Sequence, residues 1–215
     1  MERRGLLLAI ASVATVDQAA AQQPSTIALG NAPPGQLPTG FRTARTGKGA
    51  PAAWGVVDDP SVPSGKVLAQ TSTDQTDYRF PLAIYDGITA KDIEVLVRFK
   101  AVGGRIDRAG GITVRLADPD NYYVLRANAL EDNVNFYHVV RGSRRQISGA
   151  NVKVPSDQWH TLSLRAVGDQ FTIGFNDKTL FTATDRTFAD AGKVSLWTKA
   201  DSVTWFDTLT IRMLA

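Results

Sequence analysis

Between Gly111 and Ile147 the chain reads GITVRLADPDNYYVLRANALEDNVNFYHVVRGSRRQI, a run dense in planar and aromatic polar side chains. Taken as two successive hairpins whose side chains alternate between faces, it places Arg115, Tyr122, Arg126 and Asn128 on one surface. The next strand adds Asn135, Tyr137 and Arg141. Guanidinium and amide groups offer paired N–H donors to adjacent oxygens, and phenol or indole rings stack on C–H faces. A sugar ring, with hydroxyls in its plane and C–H groups on its faces, meets both requirements. Trp197 in SLWTKADSVTWFD, with Lys199 and Asp201 in the turn that follows, extends this expected platform.

Acid chemistry has few candidates. Glu2, Glu94 and Glu131 are the only glutamates among 21 acidic residues. Glu131 and Asp132 stand beside Arg126, Asn128 and Asn133, a setting for a general acid or base or for a cation. Glu131 is therefore the expected catalytic residue if there is one, and Asn133 joins the expected substrate contacts. Asp118 and Asp120 fall in a turn signal, where Asp is structural. A serine triad has no nucleophile-elbow sequence to start from. Its histidine would have to be His138 or His160, which alternate with apolar neighbours and read as packed. Arg141, Arg144 and Arg145 read as a solvated hairpin tip.

Composition narrows the classes further. Among 215 residues there is no Cys, so thiolate metal sites, disulfides and cysteine nucleophiles are excluded. Two histidines cannot make a three-histidine zinc site. The net charge of +3 is small for a protein that neutralises phosphates, so nucleic acid is not an expected partner. The chain divides into 1–21, 22–51 and 52–215. The first segment has paired arginines, an apolar stretch and an Ala-rich end, the order of a secretory signal, which predicts a periplasmic or secreted protein. The second is rich in Pro, Gly and Thr and reads as a linker or edge segment. No later apolar stretch is long enough for a membrane span.

The elements that must position these residues are strands. Ile93, Val95, Val97, Phe99 and Ala101 alternate with Glu94, Arg98 and Lys100; Ile112, Val114 and Leu116 repeat the pattern, as do Phe171, Ile173 and Phe175. Turn signals separate the runs at short intervals, and no 40-residue repeat marks a propeller. The expected fold is all-β, a two-sheet antiparallel sandwich. Trp159 and Trp205 are expected in its core; Trp54 receives no assignment.

The run from GITVRLADPDNYYVLRANALEDNVNFYHVVRG, through WHTLSLRAVGDQFTIGFNDKTLF, to DAGKVSLWTKADSVTWFDTLTI resembles the concanavalin A-like jelly-roll superfamily. Within it, NYYVLRANALEDN and GKVSLWTKADS are similar to bacterial 3-keto-disaccharide hydrolase domains, which are family 16 glycoside hydrolase-like. The likeness covers roughly Ala53 to Ile211 and implies a jelly roll whose concave face or rim binds carbohydrate. Asp207 resembles by position an acid that helps hold a structural calcium ion in several such folds, with Asp58 and Asp59 as further oxygen donors. The E-x-D-x-E triplet of the superfamily's glucanases is absent here, so ordinary two-glutamate glycoside hydrolysis is not expected. Carbohydrate binding is the first expectation, 3-keto-glycoside cleavage by Glu131 with Arg115 and Arg126 the second, and a laminin-G-like interaction domain the third.

Overall fold

Inward positions of each strand are apolar, and this alternation selects which faces pair. In the computed structural model, which describes residues 23–214, Ile93, Val95, Val97 and Phe99 are at most 1% exposed, whereas Glu94, Leu96 and Arg98 between them are partly solvated. The expected signal segment 1–21 lies outside the described residues.

The strands are β1 (Ser25–Ala28), β2 (Phe41–Gly47), β3 (Trp54–Asp58), β4 (Lys66–Gln70), β5 (Arg79–Ala90), β6 (Ile93–Gly103), β7 (Ala109–Asp118) and β8 (Asn121–Asn128), followed by β9 (Asn133–Val140), β10 (Ser143–Asn151), β11 (Trp159–Val167), β12 (Gln170–Phe175), β13 (Lys178–Thr184), β14 (Gly192–Trp197) and β15 (Val203–Met213). No helix occurs among the described residues, and none therefore is long and apolar enough to cross a membrane. The first sheet runs β13-β12-β11-β6-β15-β4-β3, with β1 also on β15. The second runs β10-β9-β8-β7-β14-β5-β2. All strand pairs are antiparallel, and the two sheets form a sandwich.

The core between the sheets joins Val95, Val97 and Phe99 of the first to Ile112, Tyr123, Leu125 and Phe136 of the second. Tyr123, Phe136 and Phe171 pack with ring centroids 4.7–5.6 Å apart. Each such side chain contributes about 1.5–3 kcal/mol by burial, which in a chain without cysteine is the main source of stability. A second apolar cluster lies on the opposite face of the second sheet: Phe80, Leu82, Tyr122, Val124, Tyr137, Val139 and Trp197. This outward face is where the expected platform falls.

The 22–51 segment contributes β1 to β15 and β2 to the edge of the second sheet, the edge-segment form of its two readings. One expectation changes. Trp159 and Trp205 are not core residues. Both pair in register with Lys100 on the outer face of the first sheet, where the Lys100 ammonium lies 4.9 and 4.4 Å from their rings. The intervening His160 and Phe206 take the inward positions. Trp54 is the indole that reaches the core, 5.6 Å from Phe206.

Candidate functional site

Register brings together Arg126, Asn135 and Tyr137. Arg126 of β8 lies opposite Asn135 of β9, and Val124 opposite Tyr137, so alternate residues of both strands share the outward face. Arg126 donates from Nη2 to Glu131 Oε2 at 2.7 Å and to Tyr137 Oη at 2.9 Å. Asn135 Nδ2 donates to the same phenol oxygen at 3.1 Å. Asn133 supports Glu131 at 3.0 Å. The Arg126 side chain is 4% exposed, yet its Nη1 has no acceptor. Glu131 sits in the β8–β9 turn with its side chain 46% exposed. Partial burial pushes its carboxyl up, but the hydrogen bonds from Arg126 and Asn133 outweigh this and hold it below the usual range.

Three further groups complete the cluster. Asp107, 1% exposed, accepts from Asn128 Nδ2 at 2.8 Å and lies 2.8 Å from Lys199 Nζ. Burial pushes the Asp107 carboxyl up. Burial also works against the Lys199 ammonium, but Asp107 and Asp77 more than compensate and hold it above its ordinary value. Arg144 of β10 folds back across the face instead of pointing to solvent from a hairpin tip. Its guanidinium lies 4.6 Å from the Tyr137 ring, 4.9 Å from Phe80 and 5.6 Å from Trp197. Desolvation on this apolar bed is offset in part by the negative faces of three rings. Arg141 and Arg145 remain exposed at the tip.

Other expected contacts are placed differently. Arg115 does not join the cluster. It stands at φ 51° where β7 slips register against both β8 and β14. The bulge breaks alternation after Val114, so Leu116 takes the outward position and Arg115 turns toward the loops. There it donates to the carbonyls of Lys91, Phe188 and Gly168 and reaches Asp92 at 3.4 Å. Replacing Arg115 by methionine is expected to cost about 1–2 kcal/mol, since three partly solvated carbonyls lose a charged donor. Ligand affinity is expected to be unchanged; thermal melts and titration of the variant check both.

Tyr122 and Trp197 lie on the right face but beneath it. Both are fully buried, Trp197 Nε1 donates to Tyr122 Oη at 3.3 Å, and the phenol also pairs with Thr46 at 2.7 Å. They form the floor under Arg144 and offer no surface for stacking. Asn128 spends both ends of its amide on Asp107 and the Leu130 N–H. Asp201 is a support: its carboxylate accepts the backbone N–H groups of Arg105, Ile106 and Asp107 at 2.7–3.2 Å. That loop begins at Gly104, φ 130°, where an added Cβ would overlap the Asp107 carbonyl.

The comparisons with known proteins rest on this frame. No family model matches the chain, and no curated protein sequence does. Solved structures do. Carbohydrate binding module CBM66 from Bacillus subtilis is 22% identical, with a TM-score of 0.62 over 81% of this chain and 96% of its own. The Bacillus licheniformis β-glucanase is 12% identical, with a TM-score of 0.58 over 90% and 99%. The fold shared with these structures is a two-sheet antiparallel jelly roll. Domain 4 of AbnA, an extracellular arabinanase from Geobacillus stearothermophilus in complex with arabinotriose, shares that jelly roll at 15% identity, with a TM-score of 0.53 over 80% and 82%.

On the opposite side of the jelly roll, two of the three expected calcium donors are already engaged. Asp207 pairs with Arg98, Asp59 accepts from Lys100 at 2.8 Å, and Asp58 is exposed at the end of β3. Carboxylates held by cationic side chains do not fit a calcium ion, and no three His, Cys, Asp or Glu come together among the described residues. His160 is packed between Phe99 and Phe175, with Nε2 2.9 Å from the Pro155 carbonyl and Nδ1 3.0 Å from Asn176 Nδ2. His138 meets Thr187 at 3.1 Å and Asp185 at 3.4 Å, away from the Arg126 cluster. Asp107 was not legible in advance, since it precedes β7 in a loop of ordinary polar composition.

Proposed function

We propose that the outward face of the second sheet binds carbohydrate through Arg126, Glu131, Asn135 and Tyr137, with Arg144 and Lys199 at its margins. The carrying observation is the unpartnered Arg126 Nη1. A buried donor without an acceptor costs about 1–3 kcal/mol, and a ligand oxygen placed there recovers it. Tyr137 Oη already accepts from Arg126 and Asn135, so its own O–H is free to donate outward. Half-exposed Glu131 presents its second oxygen to a hydroxyl. The solved neighbours described as a carbohydrate binding module and as bound to arabinotriose support this reading. Export through the 1–21 segment belongs to the same proposal, because polysaccharides accessible to such a face lie outside the cytoplasm. Retardation in gels containing a panel of polysaccharides, followed by calorimetric titration, tests it: selective retardation is expected, and uniform migration contradicts it.

A second reading is favoured by one observation: Glu131 and Asp107 share a Coulombic neighbourhood and are pushed in opposite directions, an arrangement that separates acid and base roles. In a 3-keto-disaccharide the C3 carbonyl acidifies the neighbouring C–H. Glu131 would take the C2 proton, Arg126 would stabilise the enolate oxygen, and the C1–O glycosidic bond would break by elimination, giving a 1,2-unsaturated keto sugar and an alkoxide that takes a proton from water and leaves as the alcohol. A carboxylate held below its usual range is a weak base, which places binding first. On the binding reading Glu131→Gln lowers affinity for a neutral saccharide by roughly tenfold, because the amide fixes Arg126 less firmly and accepts a ligand hydroxyl less strongly than the carboxylate. On the second reading the same variant keeps substrate affinity and loses turnover of a 3-keto-disaccharide by at least about 100-fold.

A further inference from the structure

Of the three cations in the cluster, two have carboxylate partners. Arg126 is paired with Glu131, and Lys199 with Asp107 and Asp77. Arg144 has none: its guanidinium makes no ion pair and no hydrogen bond among the described residues, and its Nη1 is buried without an acceptor. It is nevertheless fixed in place. Its backbone N–H donates to Tyr78 Oη at 2.7 Å, and Tyr78 in turn donates to the Gly142 carbonyl at 2.8 Å, which pins the β9–β10 turn against the face. Phe80, Tyr137 and Trp197 hold the guanidinium by its faces. Ring contacts of this kind leave the N–H edge of the fork free.

We infer that the saccharide taken by this face carries a carboxylate, as in a uronic acid, and that the acid group sits on the free edge of Arg144 next to Arg126 Nη1. The inference rests on the proposed carbohydrate site and adds a substrate class to it. A neutral sugar would satisfy donors at Arg144 but would leave its charge unpaired on an apolar bed. A carboxylate satisfies both, bidentately, in the geometry that suits guanidinium. Burial first, and then the nearby Arg126, work against charge on Arg144 and outweigh the favourable fields of Tyr137 and Asp107, so a further negative charge at its free edge is favoured. Both guanidiniums border the same ring, with Arg126 Cζ 5.6 Å and Arg144 Cζ 4.6 Å from the centroid of Tyr137. One sugar can therefore bridge them.

The test is a matched pair of ligands, trigalacturonate and the same oligosaccharide after reduction of its carboxyl groups, titrated into the full protein and into Arg144→Gln and Arg144→Lys. The native protein is expected to bind the acidic form at least about tenfold more tightly. That preference should shrink to within about twofold in Arg144→Gln and fall between the two in Arg144→Lys, which keeps the charge but not the planar fork. Thermal melts confirm that each variant is folded. Equal affinity of the native protein for both ligands overturns the acidic class while leaving the carbohydrate site standing. So does a preference that survives in both folded variants. Equal binding of polyglutamate would also overturn it, by showing that charge alone is recognised. Failure to bind any oligosaccharide overturns the carbohydrate site itself.

Discussion

Replacing Arg126 by methionine is expected to reduce saccharide affinity by at least about 100-fold, or roughly 2.7 kcal/mol, with little change in thermal stability. Methionine keeps most of the aliphatic stem and its packing. It removes the orphan Nη1 donor, both bonds to Tyr137 Oη and the counter-charge of Glu131. Glu131 is half-exposed, so its loss of a partner is met by water and costs little in folding. The binding surface, by contrast, loses its central fixed donor and the orientation of two neighbours. Calorimetric titration with a thermal melt separates the two effects. Unchanged affinity in a folded Arg126→Met variant would remove the central residue from the site.

Asp201→Ala is expected to destabilise the fold by about 3 kcal/mol, lowering the melting temperature by roughly 6–12 °C. Three backbone N–H groups of the Arg105–Asp107 turn then lose a charged acceptor, and no other group is placed to replace it. The pH dependence has a definite sign. Burial alone would push the Asp201 carboxyl up, but the backbone donors outweigh it and hold it below its unfolded value. The stabilisation is therefore fully present above the unfolded carboxylate pKa, about 3.9, and is lost as pH falls through the lower folded value. In urea titrations across that range the native protein should lose stability more steeply than Asp201→Ala. Parallel acid limbs would show that the carboxylate contributes nothing. Because the same turn carries Asp107, the variant should also weaken ligand binding, and Asp201→Asn, which keeps one acceptor oxygen, should lie between the two.

Alternation carried most of the fold. Ile93 to Ala101 and Phe171 to Phe175 alternate so regularly that their inward faces are set by spacing alone. The same rule, applied strictly, also places Trp159 and Trp205 outward, since His160 and Phe206 hold the inward positions. Their place in strongly apolar strands points to the core, and register decides otherwise. β1 and β2 were harder to see, because edge strands pair through backbone groups and their side chains are largely exposed. Within the site, Arg126, Asn135 and Tyr137 follow from alternation on two hairpin-linked strands. Arg115 does not, because a bulge in β7 leaves no mark in residue type. Asp107 and Arg144 join the site through a loop held by Asp201 and a turn pinned by Tyr78, contacts that span long stretches of chain. Tyr122 and Trp197 sit on the expected face, but the guanidinium above them makes them a floor.

The most direct test is to map backbone-amide chemical shifts during titration with the polysaccharide fragment that binds most tightly. Perturbations centred on Arg126, Asn135, Tyr137 and Arg144 are the predicted result. Perturbations confined to the opposite sheet around Trp159 and Trp205, with the β8–β10 amides unmoved, would contradict the account.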